Sequence, residues 1–321
     1  MTLAEKLKEK RICVVIPTRN EEQRIAETLE EVFGSFEKHD LPKPIILLSD
    51  DSKDGTRRIA REKGAVIVNG GGKGLGYAMY VGLKAALDHH PDFIMMYDAD
   101  GQTDPEEIPR FLEVVANDQA DLVLASRFCR PGLVQYRYPL INRFGTIVLS
   151  AMLRAFTGLP LTDSHGGIRA MKPEVVEELE MLGTHTYVQE TIIDADQKGF
   201  RIKEIPSVWR KRAAGSSRVV ASIPTYIFYT LPILILRSKA HLKWLYSLGI
   251  IFVLSAFGYF GFVFWQEGFQ IAALFKRLPA LLLVTLLVTM GTQLFFFGFV
   301  LQLLKDVKYM VDKSVHDSRR R

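Results

Sequence analysis

Strand-like and helix-like segments alternate along the first 125 residues, and this alternation limits the folds open to the chain. The sequence predicts strands at residues 12–16, 44–48, 65–68, 93–97 and 121–125. Between them it predicts helices at residues 21–36, 54–63, 74–89 and 105–116. Strands that alternate with helices through short loops form a mostly parallel, doubly wound sheet. The first part of the chain is therefore predicted to be an α/β domain.

Two acidic motifs come directly after predicted strands. Asp98 and Asp100 flank Ala99 after the fourth strand, and Asp50 and Asp51 follow the second. Side chains at positions i and i+2 share one face of an extended chain, and ligands of doubly wound sheets bind beyond the carboxyl ends of the strands. Either motif alone could be a solvated, helix-capping turn. Together they favour a ligand crevice whose carboxylates suit Mg²⁺ or Mn²⁺ holding a substrate diphosphate.

The glycine-rich stretch at residues 70–76 matches neither common nucleotide-binding pattern. Lys73 is followed by Gly74 and not by Ser or Thr, which excludes a Walker loop, and the dinucleotide spacing G-x-G-x-x-G is also absent. The stretch is compatible with contact to a diphosphate, and it is equally compatible with a plain loop.

The last third of the chain has a different character. Residues 244–266 and 278–304 carry no charge, and each run exceeds the roughly 20 residues that span a bilayer. A buried helical hairpin is the alternative. An apolar helix at residues 138–156 is interrupted by polar residues. Residues 223–236 form an apolar run too short to span, which favours an interfacial helix over a core helix.

Charge and cysteine usage narrow the partners and the location. The net charge is +5, and Lys and Arg concentrate at residues 201–243 and after residue 304. A basic band beside apolar segments indicates anionic lipid and not nucleic acid. Cations on the outer flanks of the two spanning segments place both flanks in the cytoplasm. The charged amino-terminal stretch is not a signal peptide.

Cys13 and Cys129 lie in apolar contexts, so we expect both to be buried and reduced.

Taken in order, the motifs resemble those of the family 2 inverting glycosyltransferases, which have the nucleotide-sugar fold of type A. The matching strings occupy residues 14–22, 50–56 and 98–102. Ser126-Arg127 and the strings at residues 163–169, 189–190 and 212–218 resemble the polyprenyl-phosphate sugar transferases, of which dolichyl-phosphate mannose synthase is the best-known type. The resemblance covers residues 12–218 and is specific for the family but not for the sugar.

The resemblance implies a role for each matching residue. The donor pocket for base and ribose would include Pro17, Arg19, Glu21 and Asp51, and the neighbouring Asp50 would also bind substrate. The metal and the diphosphate would be held by Asp98, Asp100 and Gln102, beside Ala99. Phosphates of donor or acceptor would be bound by Arg127, Arg212 and Arg218, with Asp100, Arg127 and Arg212 as the catalytic set. Further substrate contacts would come from Arg143, Asp163 and Arg169.

Some of these assignments have alternatives. Four of the arginines could instead be solvated or salt-bridged surface residues, namely Arg127, Arg169, Arg212 and Arg218. Asp163 could simply cap a turn. His165 is expected to be structural. The family usually has an aromatic residue where Arg19 stands and a Lys where Arg218 stands; the second change preserves charge.

The predicted function is metal-dependent transfer of one sugar, with inversion, from a nucleotide sugar to a dolichyl or polyprenyl phosphate. GDP-mannose is the favoured donor, and UDP-glucose or a similar sugar is the alternative. A processive polysaccharide synthase would need more membrane helices and a Gln-x-x-Arg-Trp motif, which is absent. A membrane-anchored nucleotide-sugar binder without turnover is a third possibility.

The predicted organisation is a cytoplasmic catalytic domain at residues 1–218, an interfacial region at 219–240 and a two-helix transmembrane domain at 241–321 of a cell-membrane protein. The sequence allows a homo-oligomer without indicating one.

Overall fold

The computed structural model describes residues 2–181, 187–211, 241–271 and 275–319. The chain divides into two compact units, Met1–Arg237 and Ser238–Arg321. The predicted interfacial run at residues 223–236 and the predicted boundary region at residues 219–240 lie outside the described residues.

The first unit is built around one sheet of seven strands among the described residues, in the order β3-β2-β1-β4-β6-β5-β7. The strands are β1 Ile12–Thr18, β2 Ile45–Asp50, β3 Val66–Asn69, β4 Phe93–Met96, β5 Leu122–Ser126, β6 Arg169–Met171 and β7 Ile202–Pro206. All neighbouring pairs are parallel except those of β6, which runs antiparallel to both β4 and β5. The predicted α/β fold with a mostly parallel sheet is confirmed.

Helices accompany the sheet along the first unit. They are α1 Leu3–Leu7, α2 Ile25–Lys38, α3 Thr56–Glu62, α4 Leu75–Leu87, α5 Ile108–Ala116, α6 Leu140–Thr157, α7 Pro173–Glu178 and α8 Val188–Gln197. A short 3₁₀ helix, Pro105–Glu107, leads into α5. Every residue of β1 is buried, as expected for a central parallel strand covered on both faces. Its alternate side chains belong to two separate apolar clusters, so the core has two layers.

The alternation of strands and helices, predicted only for the first 125 residues, continues beyond Ser126. Strands β6 and β7 and helices α7 and α8 follow it. The missed strand β6 has only three residues and begins with Arg169, so it lacks the apolar run that identifies a strand. The missed strand β7 contains Lys203 and Glu204 and pairs with a single neighbour, β5, at the edge of the sheet.

The second unit contains two long apolar helices, α9 His241–Gln266 and α10 Leu278–Arg319. By length and composition, Leu242–Gln266 and Leu278–Leu304 could each cross a membrane, with mean hydropathies of 2.0 and 2.1. The two helices pack against each other at glycines. A Cβ added to Gly249 would lie 3.1 Å from the carbonyl oxygen of Gly291. Most large apolar side chains of both helices remain exposed, as a lipid-facing hairpin requires.

The two cysteines differ in environment. Cys13 is fully buried in β1, as expected, whereas Cys129 is exposed in the loop after β5. The expectation of burial was wrong for Cys129 because the chain leaves the sheet at Ser126.

Candidate active site

Most of the predicted site residues lie at one edge of the sheet. Strands β1, β2, β4 and β5 are parallel, so the residues that follow them emerge at the same edge. Strand β6 runs the opposite way, so the residues that precede it, including Gly167, reach this edge as well. The strand topology therefore gathers Asp51, Asp98, Arg127 and Gly167 from distant parts of the sequence.

The loop from Asp98 to Gln102 is held at its backbone by helix α2. The hydroxyl of Thr28 donates to the carbonyl oxygen of Ala99 at 3.3 Å. The guanidinium of Arg24 lies against Gly101, where an added Cβ would meet its Nη2 atom at 2.0 Å. Gly101 also has φ +69°, which a glycine adopts without strain. The loop is therefore shaped by tertiary contacts as well as by its own sequence.

The three side chains predicted to hold the metal are all half-buried in this loop. One Asp100 oxygen accepts from the backbone N–H of Gln102 at 3.0 Å. The side-chain amide nitrogen of Gln102 donates to the hydroxyl of Tyr136 at 3.2 Å and to the carbonyl oxygen of Arg210 at 3.4 Å. Asp98 accepts from the hydroxyl of Tyr187 at 3.2 Å. The Asp98 and Asp100 carboxylates thus share one short loop that is partly open to solvent.

The second acidic motif separates into two residues with different environments. Asp50 is fully buried and accepts from Thr18, Ser52 and Arg57. Burial alone would raise the pKa of Asp50, but the hydrogen bonds from these residues outweigh it and hold the pKa below its usual range. Asp50 is thus held by protein groups around the loop, and its predicted contact with substrate stays a prediction.

Asp51 is half-buried and faces the glycine-rich loop. Its Oδ1 atom accepts from the backbone N–H of Gly72 at 2.8 Å, and a Cβ on Gly70 would lie 2.7 Å from the same oxygen. The glycines let the backbone approach the carboxylate closely. This contact places the glycine-rich loop beside Asp51 in the site, which the sequence of the loop alone did not indicate.

Arg127 and Asp163 form a buried, two-point ion pair. Arg127 is 5% exposed and Asp163 is 1% exposed. The Arg127 guanidinium also stacks on the ring of Trp209, at 4.4 Å from the ring centroid, and donates to the hydroxyl of Tyr138 at 3.3 Å. Burial favours the neutral form of each group, but each charge stabilises the other, so the pKa of Asp163 lies below its usual range and that of Arg127 above it. The predicted contact of Arg127 with phosphate stays a prediction.

Arg169 is also buried and engaged by protein groups. It is 1% exposed and donates to the carbonyl oxygen of Val188 and to the hydroxyl of Thr191, each at 3.0 Å. Burial lowers the pKa of Arg169 to about 10. At neutral pH it remains a cation inside the fold, and its predicted contact with substrate stays a prediction.

The remaining predicted residues vary in position. Pro17 is buried in β1, Arg19 is exposed just after this strand, and Glu21 is half-buried. Arg143 is exposed on α6. Arg212 and Arg218 lie outside the described residues.

Two residues near the site had no signal in the sequence. Glu204 of β7 accepts from the backbone N–H groups of Thr162 and Asp163 and thereby holds the loop that carries Asp163. Trp209 supplies the aromatic surface under Arg127. Neither lies in a recognisable motif. The pairing of β7 with β5 brings Glu204 to the site, and backbone bridges to Thr103 and Val134 place Trp209.

The donor atoms of the loop from Asp98 to Gln102 decide whether it fits a divalent metal. Among the described residues, no cluster of three or more His, Cys, Asp or Glu side chains could form a complete protein cage. Two carboxylates in a partly open loop nevertheless fit Mg²⁺ or Mn²⁺, because these ions are usually bound through one or two carboxylates together with substrate phosphates and water. The arrangement fits a metal ion that binds together with a diphosphate, or whose coordination a diphosphate completes.

Comparison with known proteins gives the family and the fold. The family model for "Glycosyl transferase family 2" matches residues 13–180. The chain is 33% identical over 202 residues to the low-salt glycan biosynthesis hexosyltransferase Agl6 of Haloferax volcanii, covering 63% of this chain and 48% of that protein. It is 30% identical over 224 residues to the undecaprenyl-phosphate mannosyltransferase of Micrococcus luteus, covering 66% of this chain and 89% of that protein. The chain thus spans about half the length of the first relative and most of the second.

Among solved structures, the glucosyl-3-phosphoglycerate synthase of Mycobacterium tuberculosis has a similar fold. Its complex with Mn²⁺, uridine-diphosphate-glucose and phosphoglyceric acid matches with a TM-score of 0.55 and 20% sequence identity, covering 73% of this chain and 82% of that one. At this identity the likeness supports the fold alone.

Proposed function

Since the chain belongs to glycosyl transferase family 2, we propose that it transfers one sugar, with inversion, from a nucleotide sugar to a polyprenyl or dolichyl phosphate. The protein is a glycosyltransferase. The choice of a lipid acceptor rests on one observation. The first compact unit contains both the loop with Asp98 and Asp100 and the exposed apolar face of helix α6. The name of the Micrococcus luteus relative, an undecaprenyl-phosphate mannosyltransferase, supports the same choice.

The donor would bind at the carboxyl edge of the sheet. Asp51, with Arg19 and Glu21 at the end of β1, would contact the base and ribose. Asp98 and Asp100, with Gln102, would hold the divalent metal, and Ala99 lies between them in the same loop. When bound, such a metal neutralises charge that develops on the leaving diphosphate. GDP-mannose is the first donor to test, and UDP-glucose the second.

The exposed face of α6 would meet the bilayer surface. Five large apolar side chains on this helix are between 41% and 81% exposed: Leu140, Ile141, Phe144, Ile147 and Val148. Their spacing places them on one side of the helix. Arg143, on the same helix, would contact lipid phosphate. The hydroxyl of Ser150 accepts from the backbone N–H of Ser164 at 3.0 Å, which ties α6 to the loop that carries Asp163.

The acceptor needs little chemical activation. A lipid phosphate is an anion at neutral pH, so its oxygen can attack the anomeric carbon without a strong general base. As the new carbon–oxygen bond forms, the bond to the nucleoside diphosphate breaks and the electron pair leaves on the diphosphate. The protein would orient the two substrates and stabilise the departing charge.

Arg212 and Arg218 are proposed to bind phosphates of donor or acceptor. Arg127 and Asp163 would keep the loops after β5 and before β6 in place.

The two apolar helices of the second unit would anchor the protein in the cell membrane. Lys276 and Arg277 lie in the connection between them, while more cations lie on the outer flanks. By the positive-inside rule, these flanks and the catalytic unit would be cytoplasmic.

A donor and acceptor panel tests the proposal. Membranes containing the full chain or its Asp100→Asn variant are incubated with radiolabelled GDP-mannose or UDP-sugars, Mn²⁺ and dolichyl or undecaprenyl phosphate. We expect a labelled sugar–lipid phosphate from the wild type and none from Asp100→Asn. The anomeric configuration of its sugar should be inverted relative to the donor. Nucleotide-sugar binding without labelled lipid would favour a non-catalytic binder, and a labelled polymer would favour a processive synthase.

A further inference from the structure

A buried tyrosine touches the first carboxylate of the proposed metal loop. The hydroxyl of Tyr187 donates to Oδ1 of Asp98 at 3.2 Å, and Tyr187 is 2% exposed. On the opposite side, Oδ2 of Asp98 lies against Gly167. We propose that Tyr187 and Gly167 are positioning residues that fix the orientation of the Asp98 carboxylate for a divalent metal. The inference rests on the proposed function.

Gly167 provides space that no other residue would leave. A Cβ at this position would lie 1.9 Å from Oδ2 and 2.9 Å from Cγ of Asp98, and both distances are shorter than real Cβ contacts. The backbone of Gly167 does not have a positive φ, so the requirement for glycine here is steric and not conformational. Any larger residue would push the carboxylate out of its present orientation.

Tyr187 is itself held by the core of the domain. Its ring lies beside the guanidinium of Arg169, at 5.9 Å from the ring centroid. Arg169 in turn donates to Val188 and Thr191 in the first turns of α8, immediately after Tyr187. Arg169 is the register partner of Met96 in β4, two residues before Asp98. One buried arginine therefore links the start of α8 to the strand that presents the carboxylate.

This arrangement has an energetic consequence for metal binding. A carboxylate that is hydrogen-bonded at one oxygen and confined at the other loses less rotational freedom when it binds a metal. Partners that orient metal ligands in this way typically change metal affinity by about 10- to 100-fold when they are removed. A purely structural contact would instead change the stability of the protein and leave metal affinity unchanged.

The test is a Mn²⁺ titration of the full chain in detergent, with free Mn²⁺ measured by electron paramagnetic resonance in the presence of UDP or GDP. Tyr187→Phe removes one oxygen atom and should raise the Kd for Mn²⁺ by about 10-fold or more. Transfer by this variant should be restored at saturating Mn²⁺. The matched control is Tyr80→Phe, since Tyr80 lies on α4 beside Lys84 and has no proposed role in the site. Its Kd should equal that of the wild type.

Gly167→Ala provides an independent steric test. It should also weaken Mn²⁺ binding, whereas Gly34→Ala should not, because a Cβ at Gly34 meets no atom within 4 Å. If Gly167→Ala fails to fold, Tyr187→Phe alone decides the question.

Two negative outcomes are distinguishable. If the wild type binds Mn²⁺ and Asp100→Asn does not, but Tyr187→Phe keeps the wild-type Kd, the inference is overturned and the proposed function stands. If the wild type binds no Mn²⁺ with either nucleotide, the proposed metal site and the inference are both overturned.

Discussion

The guanidinium of Arg127 donates two hydrogen bonds to the carboxylate of Asp163, from Nε to Oδ2 at 2.6 Å and from Nη2 to Oδ1 at 2.8 Å. The backbone N–H of Arg127 adds a third, to Oδ2, at 3.0 Å. These bonds join the end of β5 to the loop before β6. Because both side chains are buried, water cannot stabilise the remaining charge if either partner is removed.

Asp163→Asn should therefore destabilise the domain strongly. Leaving a buried charge without its partner costs about 3–5 kcal/mol, and we expect a loss of this size in the free energy of unfolding. It can be measured by urea denaturation of the full chain in detergent. The control is Glu62→Gln, which breaks an exposed ion pair with Arg58 and should cost less than about 1 kcal/mol. Equal stability of Asp163→Asn and wild type would show that the pair is not a stabilising element.

Asp100→Asn should abolish most transfer activity while the protein remains folded. A metal that stabilises developing charge contributes several kcal/mol, so kcat should fall by at least about 100-fold. EDTA should inactivate the wild type, and added Mn²⁺ or Mg²⁺ should restore it. Asp88→Asn is a suitable control, because Asp88 is exposed at the end of α4. Full activity of Asp100→Asn, or of the wild type in EDTA, would remove the metal from the proposal.

His165 should make stability depend on pH. Desolvation by burial, with repulsion from Arg127, lowers the pKa of His165 from 6.5 to about 4. Between these values the unfolded chain binds a proton that the folded protein does not, so stability falls as the pH falls from 6.5 towards 4. At about 1.4 kcal/mol per pH unit, the total loss is about 3 kcal/mol.

His165→Gln should reduce the slope of stability against pH within this window. The measurement is urea denaturation at a series of pH values, and His89→Gln serves as the control. An unchanged slope in His165→Gln would mean that the pKa of His165 is the same in the folded and unfolded states.

Two glycine-to-alanine substitutions in helices should change the stability of the protein in opposite directions. A Cβ on Gly82 would lie 2.6 Å from Cγ1 of Val15 and 2.9 Å from Cβ of Ser49, so Gly82→Ala should force α4 away from the sheet at a cost of about 1–3 kcal/mol. Gly34→Ala, in α2, meets no atom within 4 Å and should stabilise by about 0.5–1 kcal/mol. Thermal melting of both variants in detergent compares them, and destabilisation of equal size in both would contradict the packing of α4.

The exposed thiol of Cys129 reports the orientation of the catalytic unit. A membrane-impermeant maleimide should label Cys129 in inside-out vesicles but not in intact right-side-out vesicles. Cys13 should not react, because it is buried and burial raises the pKa of its thiol to about 11. Cys129→Ser should therefore remove the signal. Labelling in intact right-side-out vesicles would reverse the proposed topology.

The candidate site was predictable to different degrees along the chain. Asp98 and Asp100 follow an apolar strand directly, so local sequence sufficed to place them at the edge of the sheet. The environments of Arg127 and Arg169 were not predictable in this way. An arginine beside a phosphate and an arginine buried against Asp163 or Val188 look identical in sequence, because burial depends on partners that are 19 to 36 residues away.

The sequence by itself determined the parallel α/β core and the two long apolar helices, because these depend on local hydrophobic periodicity and on the length of uncharged runs. Tertiary structure alone decided the antiparallel insertion of β6, the exposure of Cys129 and the contacts of Tyr187 and Gly167 with Asp98. A three-residue strand that begins with arginine has no periodicity of its own and exists only because β4 and β5 supply hydrogen-bonding partners on both sides. Asp98 and Asp100 lie in one short segment of the chain. Tyr187 and Gly167 are distant from them in sequence, and only the fold brings them to Asp98.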